Sequence, residues 1–198
     1  MPNLNTDLAA LVGSRICHDL ISPIGAINNG VELLTMAGAS GGPEIGLIGE
    51  SVDNASAKIR FLRIAFGAAG IQLVGPVEVQ SILNDLYANS RLKIRWASGD
   101  AVPRVEVRLA FLSILCAEAG MPYGGQITVT AQPGKVQLSG EADRITVDAA
   151  LWENLSSPCL ERELQASHVQ FALLPLLAAD AGRRVRCQSD ATTLGITI

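Results

Sequence analysis

Apolar residues recur every three or four positions along the first part of the chain. They are Leu8, Val12, Ile16, Leu20, Ile24, Ile27, Val31 and Leu34. This spacing is typical of one long amphipathic helix. The glycine-rich residues 38–42 then predict a turn, and Pro43 favours the start of a second helix, because proline fits the first helical turn.

The second predicted helix carries the same alternation for more than three heptads. Its apolar positions are Ile45, Ile48, Val52, Ala55, Ile59, Leu62, Phe66 and Ala69. Such a seam is typical of helical bundles. A lone antiparallel hairpin would cover only one face of each helix. We therefore expect two hairpins to associate into a dimeric four-helix bundle, which makes the protein a homodimer.

Beyond residues 70–75 the pattern changes to short mixed elements, so we predict a hairpin domain at 1–72 and a second domain at 73–198. Runs with β-branched alternation predict strands at 92–97, 126–131, 135–138, 183–188 and 193–198. Helical patterns cover 76–89, 104–119 and 161–181. This order of elements predicts a two-layer α/β sandwich with helices on one face of the sheet.

Composition and charge argue against several classes of protein, including nucleic-acid-binding, membrane-spanning and disulfide-rich proteins. The chain is 48% hydrophobic and 17% charged, which is typical of a globular protein. Its net charge of −4 gives no basic surface for nucleic acid. There is neither a signal-peptide pattern nor an apolar run of the ~18 residues that a membrane helix needs, so we expect a cytoplasmic protein. The four cysteines are widely spaced and predict neither a disulfide framework nor a zinc site.

His18 is the candidate nucleophile in this sequence. On a helical wheel of about 100° per residue, the apolar positions fall on the opposite side of the first helix, so we expect His18 to face solvent. Arg15 and Ser22 share its side, because residues three or four apart are neighbours, and Asp19 follows it directly. A neutral imidazole has a free lone pair at pH 7 and needs little activation as a nucleophile.

The neighbours of His18 suggest supporting roles. Asp19 is placed to hydrogen-bond the second ring nitrogen and to fix the tautomer. Arg15 is predicted to neutralise charge on a transferring phosphoryl group, and Ser22 to donate a hydrogen bond. Pro23 has no N–H, so the Asp19 carbonyl loses its partner four residues on, and we expect the helix to bend there.

Residues 18–27, followed by residues 30–34, resemble the phosphoacceptor box of sensor histidine kinases, whose core is H-[DE]-L-x-[ST]-P. The second half resembles the ATP-binding domain of that family in the order of its elements. However, Ser113 and Cys116 stand where the family carries asparagines that hold Mg-ATP. Residues 139–143 and 161–164 also lack the glycine-rich turns that cradle phosphates.

An intact phosphoacceptor hairpin joined to a degenerate, Bergerat-type ATPase-like domain is similar to the ChpT-type histidine phosphotransferases of bacterial phosphorelays, over essentially the whole chain. The resemblance implies a dimeric intermediate between the receiver domain of a hybrid histidine kinase and the receiver domains of response regulators. It also implies no bound cofactor, with Mg²⁺ expected on the partner receiver only, and a second domain that helps to dock the receiver.

Two other readings of the sequence stay open at this point. One is a fragment of an ATP-dependent histidine kinase, which the missing asparagines and glycines disfavour. The other is a non-catalytic dimeric interaction module, such as a kinase inhibitor, which the intact His18 and Asp19 disfavour. The basic residues Lys58, Arg60 and Arg63 are interpreted as a solvated face, with contact to an acidic receiver domain as the alternative.

Overall fold

The computed structural model describes residues 4–37, 43–68, 70–156 and 165–198. Two long helices come first and form a hairpin. The helices are α1 (Leu4–Ala37), α2 (Pro43–Ala65), α3 (Pro76–Tyr87), α4 (Arg104–Gly120), α5 (Ala149–Ser156) and α6 (Gln170–Asp180). Pro43 is the first residue of α2, as predicted.

The strands form a five-stranded mixed sheet and a small two-stranded sheet. They are β1 (Leu73–Val74), β2 (Leu92–Trp96), β3 (Val102–Pro103), β4 (Gly125–Gln132), β5 (Lys135–Glu141), β6 (Arg186–Ser189) and β7 (Thr193–Thr197). The order in the large sheet is β2-β4-β5-β7-β6, with β2 and β4 parallel and the other pairs antiparallel. β1 pairs only with β3.

The sheet buries one face, as the alternation of its residues requires. Along β5 every second residue is buried, including Val136 and Leu138, while the residues between them are exposed. α4 is buried along most of its length and covers β4 and β5. The prediction of a hairpin followed by a two-layer α/β sandwich is therefore confirmed.

The hydrophobic core runs without interruption from the hairpin into the second domain. Phe61 of α2 stacks on Phe111 of α4, with ring centroids 4.4 Å apart and planes 4° apart. Leu8 of α1 forms a second cluster with Val169 and Ala172. The division at residues 72 and 73 stays a prediction, because the two parts share one core.

The predicted helix at 161–181 is wrong in its first part. Gln165 has an extended backbone and is followed by a 3-10 turn, Ala166–His168, before α6 begins. Residues 161–164 lie outside the described residues. α5 was not predicted from the sequence, although Asp148 is a signal for it. Its carboxylate accepts from the backbone N–H groups of Ala150 and Leu151, at 2.9 and 3.2 Å, as a helix cap does.

Candidate functional site

His18 projects from the middle of α1 into solvent. Its side chain is 82% exposed, which agrees with the helical-wheel prediction. Asp19, the next residue, has a side chain that is only 20% exposed. One turn of helix therefore presents an imidazole to solvent and keeps a carboxylate half-buried beside it.

The Asp19 carboxylate links His18 to Arg15. Its Oδ1 lies 3.2 Å from His18 Nδ1, and its Oδ2 accepts a hydrogen bond of 2.7 Å from Arg15 Nε. A proton on Nδ1 donates to this carboxylate, which leaves a lone pair on Nε2 pointing away from it. The arrangement favours the tautomer in which Nε2 is free to act as a nucleophile.

Arg15 connects this turn to the second domain. Its Nη1 donates to the carbonyl of Ser167 and to Oε1 of Gln170, the latter at 3.3 Å. Gln170 is buried and also donates from Nε2 to the carbonyl of Leu115, at 3.5 Å. The Arg15 side chain is only 16% exposed, so its guanidinium is held between α1 and α6. Contact between Arg15 and a phosphoryl group stays a prediction.

Ser22 lies one turn beyond His18 and is exposed. Its hydroxyl is therefore accessible to a molecule that approaches the imidazole. The second histidine, His168, is half-buried and packs edge-on against Phe171, with ring centroids 6.2 Å apart. His168 therefore contributes to side-chain packing in the second domain.

A cavity of about 220 Å³ lies on the inner side of Asp19, between the hairpin and the second domain. It is lined by Lys58 of α2, by Tyr87 and by Glu118, among others. Tyr87 donates a 3.1 Å hydrogen bond to the Glu118 carboxylate. Although Glu118 as a whole residue is exposed, burial of its carboxylate raises the pKa of Glu118, against the opposing effects of Tyr87 and Arg15.

Sequence reasoning missed Gln170, Tyr87 and Glu118. The three lie on α6, α3 and α4, far from His18 along the chain, and no sequence motif predicts that they belong to the site. Lys58 was named only as part of a charged face, yet its Nζ lies 3.2 Å from the Asp19 carbonyl. Tertiary packing brings these residues to the site.

The residues at the predicted degenerate nucleotide site face the core. Ser113 is fully buried, and its hydroxyl donates 2.8 Å to the Leu109 carbonyl. Cys116 is also fully buried, and burial raises the pKa of its thiol well above the ordinary value. Neither side chain reaches solvent, so neither is placed to ligate Mg²⁺ as an asparagine amide would.

Among the residues that the structure describes, no three His, Cys, Asp or Glu side chains are grouped so that they could hold a metal ion. No helix in the described ranges is long and apolar enough to cross a membrane.

Known proteins match the chain over both of its parts. The family model for the histidine phosphotransferase C-terminal domain matches residues 76–193. The protein phosphotransferase ChpT of Brucella abortus (strain 2308) is 34% identical over an alignment of 193 residues, and the match covers 93% of this chain and 91% of that protein. A solved structure of a bacterial phosphotransferase is 32% identical, with a TM-score of 0.81, and the match covers 97% of this chain and 95% of that one.

Proposed function

Because the chain belongs to the ChpT-type histidine phosphotransferases, we propose that it relays phosphoryl groups in a cytoplasmic two-component phosphorelay, with His18 as the phosphoacceptor. His18 takes the group from the receiver aspartate of a hybrid histidine kinase and passes it to the receiver domains of response regulators. The observation that carries this proposal is the exposed imidazole of His18, with Asp19 Oδ1 3.2 Å from its Nδ1.

The transfer step follows from this geometry. The lone pair of His18 Nε2 attacks phosphorus, and an N–P bond forms as the P–O bond to the receiver aspartate breaks. The electron pair of the broken bond leaves with the aspartate carboxylate, where Mg²⁺ on the receiver neutralises charge. The proton stays on Nδ1, so the phosphorylated ring is a cation that the Asp19 carboxylate stabilises. The second transfer reverses these steps on another receiver.

Arg15 and Ser22 have different roles in this proposal. Arg15 is bonded to Asp19 and to Gln170, which supports a role in orienting the carboxylate more than a role in contacting phosphate. Ser22 is exposed next to His18 and is the hydroxyl that donates to a phosphoryl oxygen. ATP has no role, which the burial of Ser113 and Cys116 supports.

A homodimer completes the hairpin in our proposal. The seam positions of both helices include large apolar side chains that are about half exposed in one chain, and exposed patches of this kind mark interfaces. These are Ile24 (50%), Val31 (50%), Ile45 (49%), Val52 (44%) and Ile59 (52%). Packing two hairpins into a four-helix bundle would cover them.

Two phosphoryl sources test the proposal. The purified protein is incubated either with γ-labelled Mg-ATP or with a labelled phospho-receiver domain from a candidate hybrid kinase, and an unlabelled response regulator is then added. We expect label only from the phospho-receiver, followed by its passage to the regulator. Label from Mg-ATP would revive the kinase reading. If several cognate phospho-receivers transfer nothing, the non-catalytic interaction module becomes the better account.

A further inference from the structure

α1 continues through Pro23 at the turn that follows His18 and Asp19. In an α-helix, the carbonyl of residue 19 accepts from the N–H of residue 23. Proline has no N–H, so this donor is missing in the turn that carries the phosphoacceptor. The carbonyl then needs another hydrogen-bond donor. Without one, the helix is free to bend at this turn.

Lys58 supplies a donor from the other helix of the hairpin. Its Nζ lies 3.2 Å from the Asp19 carbonyl oxygen, and its side chain is half-buried between α1 and α2. We propose that Lys58 is a positioning residue for phosphotransfer, because it replaces the hydrogen bond that Pro23 removes. This inference rests on the proposed function of His18.

The consequence is that Asp19 is held both at its main-chain carbonyl and at its carboxylate. Lys58 binds the main-chain carbonyl, and Arg15 binds the carboxylate at 2.7 Å. A hydrogen bond from an ammonium group is stronger than one between neutral groups. With both groups fixed, the carboxylate stays beside His18 Nδ1, and the reactive nitrogen keeps its lone pair pointed at the partner.

A positioning role and a receiver-binding role for Lys58 predict different kinetics. If the ammonium contacted the acidic face of a receiver domain, its removal would raise the KM for the phospho-receiver and weaken the dependence on salt. If it positions the His18 turn, its removal lowers the rate at saturating phospho-receiver and leaves KM and the salt dependence nearly unchanged.

The sharpest test combines Lys58→Met with Pro23→Ala. Lys58→Met keeps the apolar stem and removes the donor, and we expect transfer from saturating phospho-receiver to become about tenfold slower. Lys58→Arg keeps a donor and should retain most of the rate. Pro23→Ala restores an N–H to the helix, so adding Lys58→Met to Pro23→Ala should cost little further rate. This non-additivity is the signature of a shared role.

Lys93 provides a matched control. It is exposed on β2, and its Nζ donates 3.2 Å to the Ala88 carbonyl, which is the same type of bond outside the site. We expect Lys93→Met to transfer at the wild-type rate. The inference is overturned if Lys58→Met transfers as fast as wild type, or if it slows the Pro23→Ala variant as much as it slows the wild type.

A second readout needs no phosphodonor. The ¹⁵N shifts of the His18 ring report which nitrogen carries the proton. We expect wild type and Lys58→Arg to hold the proton mainly on Nδ1, and Lys58→Met to move toward a mixture of the two tautomers. Unchanged shifts in Lys58→Met would contradict the inference. A wild type that takes no label from any phospho-receiver counts against the proposed function, while these shifts still decide the role of Lys58.

Discussion

Asp19 is the residue on which the site depends after His18 itself. Its side chain is mostly covered and touches both the imidazole and the Arg15 guanidinium. In the proposed mechanism the carboxylate supplies the negative charge that stabilises the phosphorylated imidazolium, so we expect its charge to matter more than its capacity to accept a hydrogen bond. We therefore expect Asp19→Asn, which removes the charge, and Asp19→Glu, which keeps it, to have different effects.

Asp19→Asn should lower the rate of transfer by at least about tenfold, since the amide still accepts from Nδ1 but does not stabilise the cation. Asp19→Glu keeps the charge and should retain more of the rate than Asn does. Rapid-quench measurement of a single turnover from a phospho-receiver checks this order. Equal rates for Asn and wild type would mean that the carboxylate does not act on the ring.

Residue-scale features were predictable only where the helix itself fixes them. The exposure of His18 follows from its place opposite the apolar positions of α1, and Asp19 reaches its ring because it is the next residue in the chain. The bond from Arg15 to Gln170 joins residues 155 positions apart, so no local pattern predicts it. The same is true of Lys58, which meets Asp19 across the hairpin.

At the scale of elements, α2 carries an apolar seam that a single chain covers only in part. Ala55 and Leu62 are buried, whereas Val52 and Ile59 are about half exposed. A two-fold dimer uses the same patch on both subunits, so one substitution changes the interface twice. The seam therefore gives a sensitive test of the proposed bundle.

Ile59→Asp should dissociate the dimer. Association would bury the exposed half of two isoleucine side chains, so their loss costs about 1.5–3 kcal/mol, which weakens association by roughly ten- to a hundredfold before the cost of burying two carboxylates is added. Ser56→Asp, at an exposed polar position of the same helix, adds the same charge and should leave the dimer intact. Sedimentation equilibrium distinguishes the two. A monomeric wild type, or a dimeric Ile59→Asp variant, would exclude this seam as the interface.

Element boundaries were predicted well where periodicity is regular and poorly where turn chemistry decides. β4 lies within one residue of its predicted bounds at each end, whereas β5 runs on to Glu141, past a predicted end that was placed at 138 because Ser139 and Gly140 interrupt the apolar alternation. β6 begins at Arg186 and not at 183, since the chain turns at Gly182, where φ is +72°, and Arg183 forms a 2.7 Å ion pair with Glu106. The spacing of apolar residues predicts neither this turn nor this ion pair.

On the scale of the whole molecule, the hairpin and the second domain meet around the inner side of the site. Phe61 packs on Phe111 there, and the cavity beside Asp19 holds the Tyr87 and Glu118 pair. This continuous core joins the second domain to the hairpin through α2, and Arg15 of α1 bonds to the second domain beside the exposed His18. The order of elements predicted two layers, but contacts between distant segments determine how the layers sit on the hairpin.

Glu118→Gln should make stability less dependent on pH. Because burial raises the pKa of Glu118 above its ordinary value of 4.5, the folded state binds the proton more tightly than the unfolded state does. The free energy of unfolding therefore falls as pH rises from the unfolded pKa through the folded pKa, where the carboxylate becomes charged. Thermal unfolding should show Glu118→Gln more stable than wild type at pH 8, with the gain shrinking toward pH 4. A gain that is the same at both pH values would contradict this assignment.

The measurement that tests the account most directly compares wild type, His18→Ala and His168→Ala after each is mixed with a radiolabelled phospho-receiver domain. The chain has two histidines, so His168→Ala is a matched control for loss of an imidazole. We predict acid-labile, alkali-stable label on wild type and on His168→Ala, and none on His18→Ala, with all three remaining folded. Label that persists on His18→Ala would contradict the assignment of His18 as the phosphoacceptor.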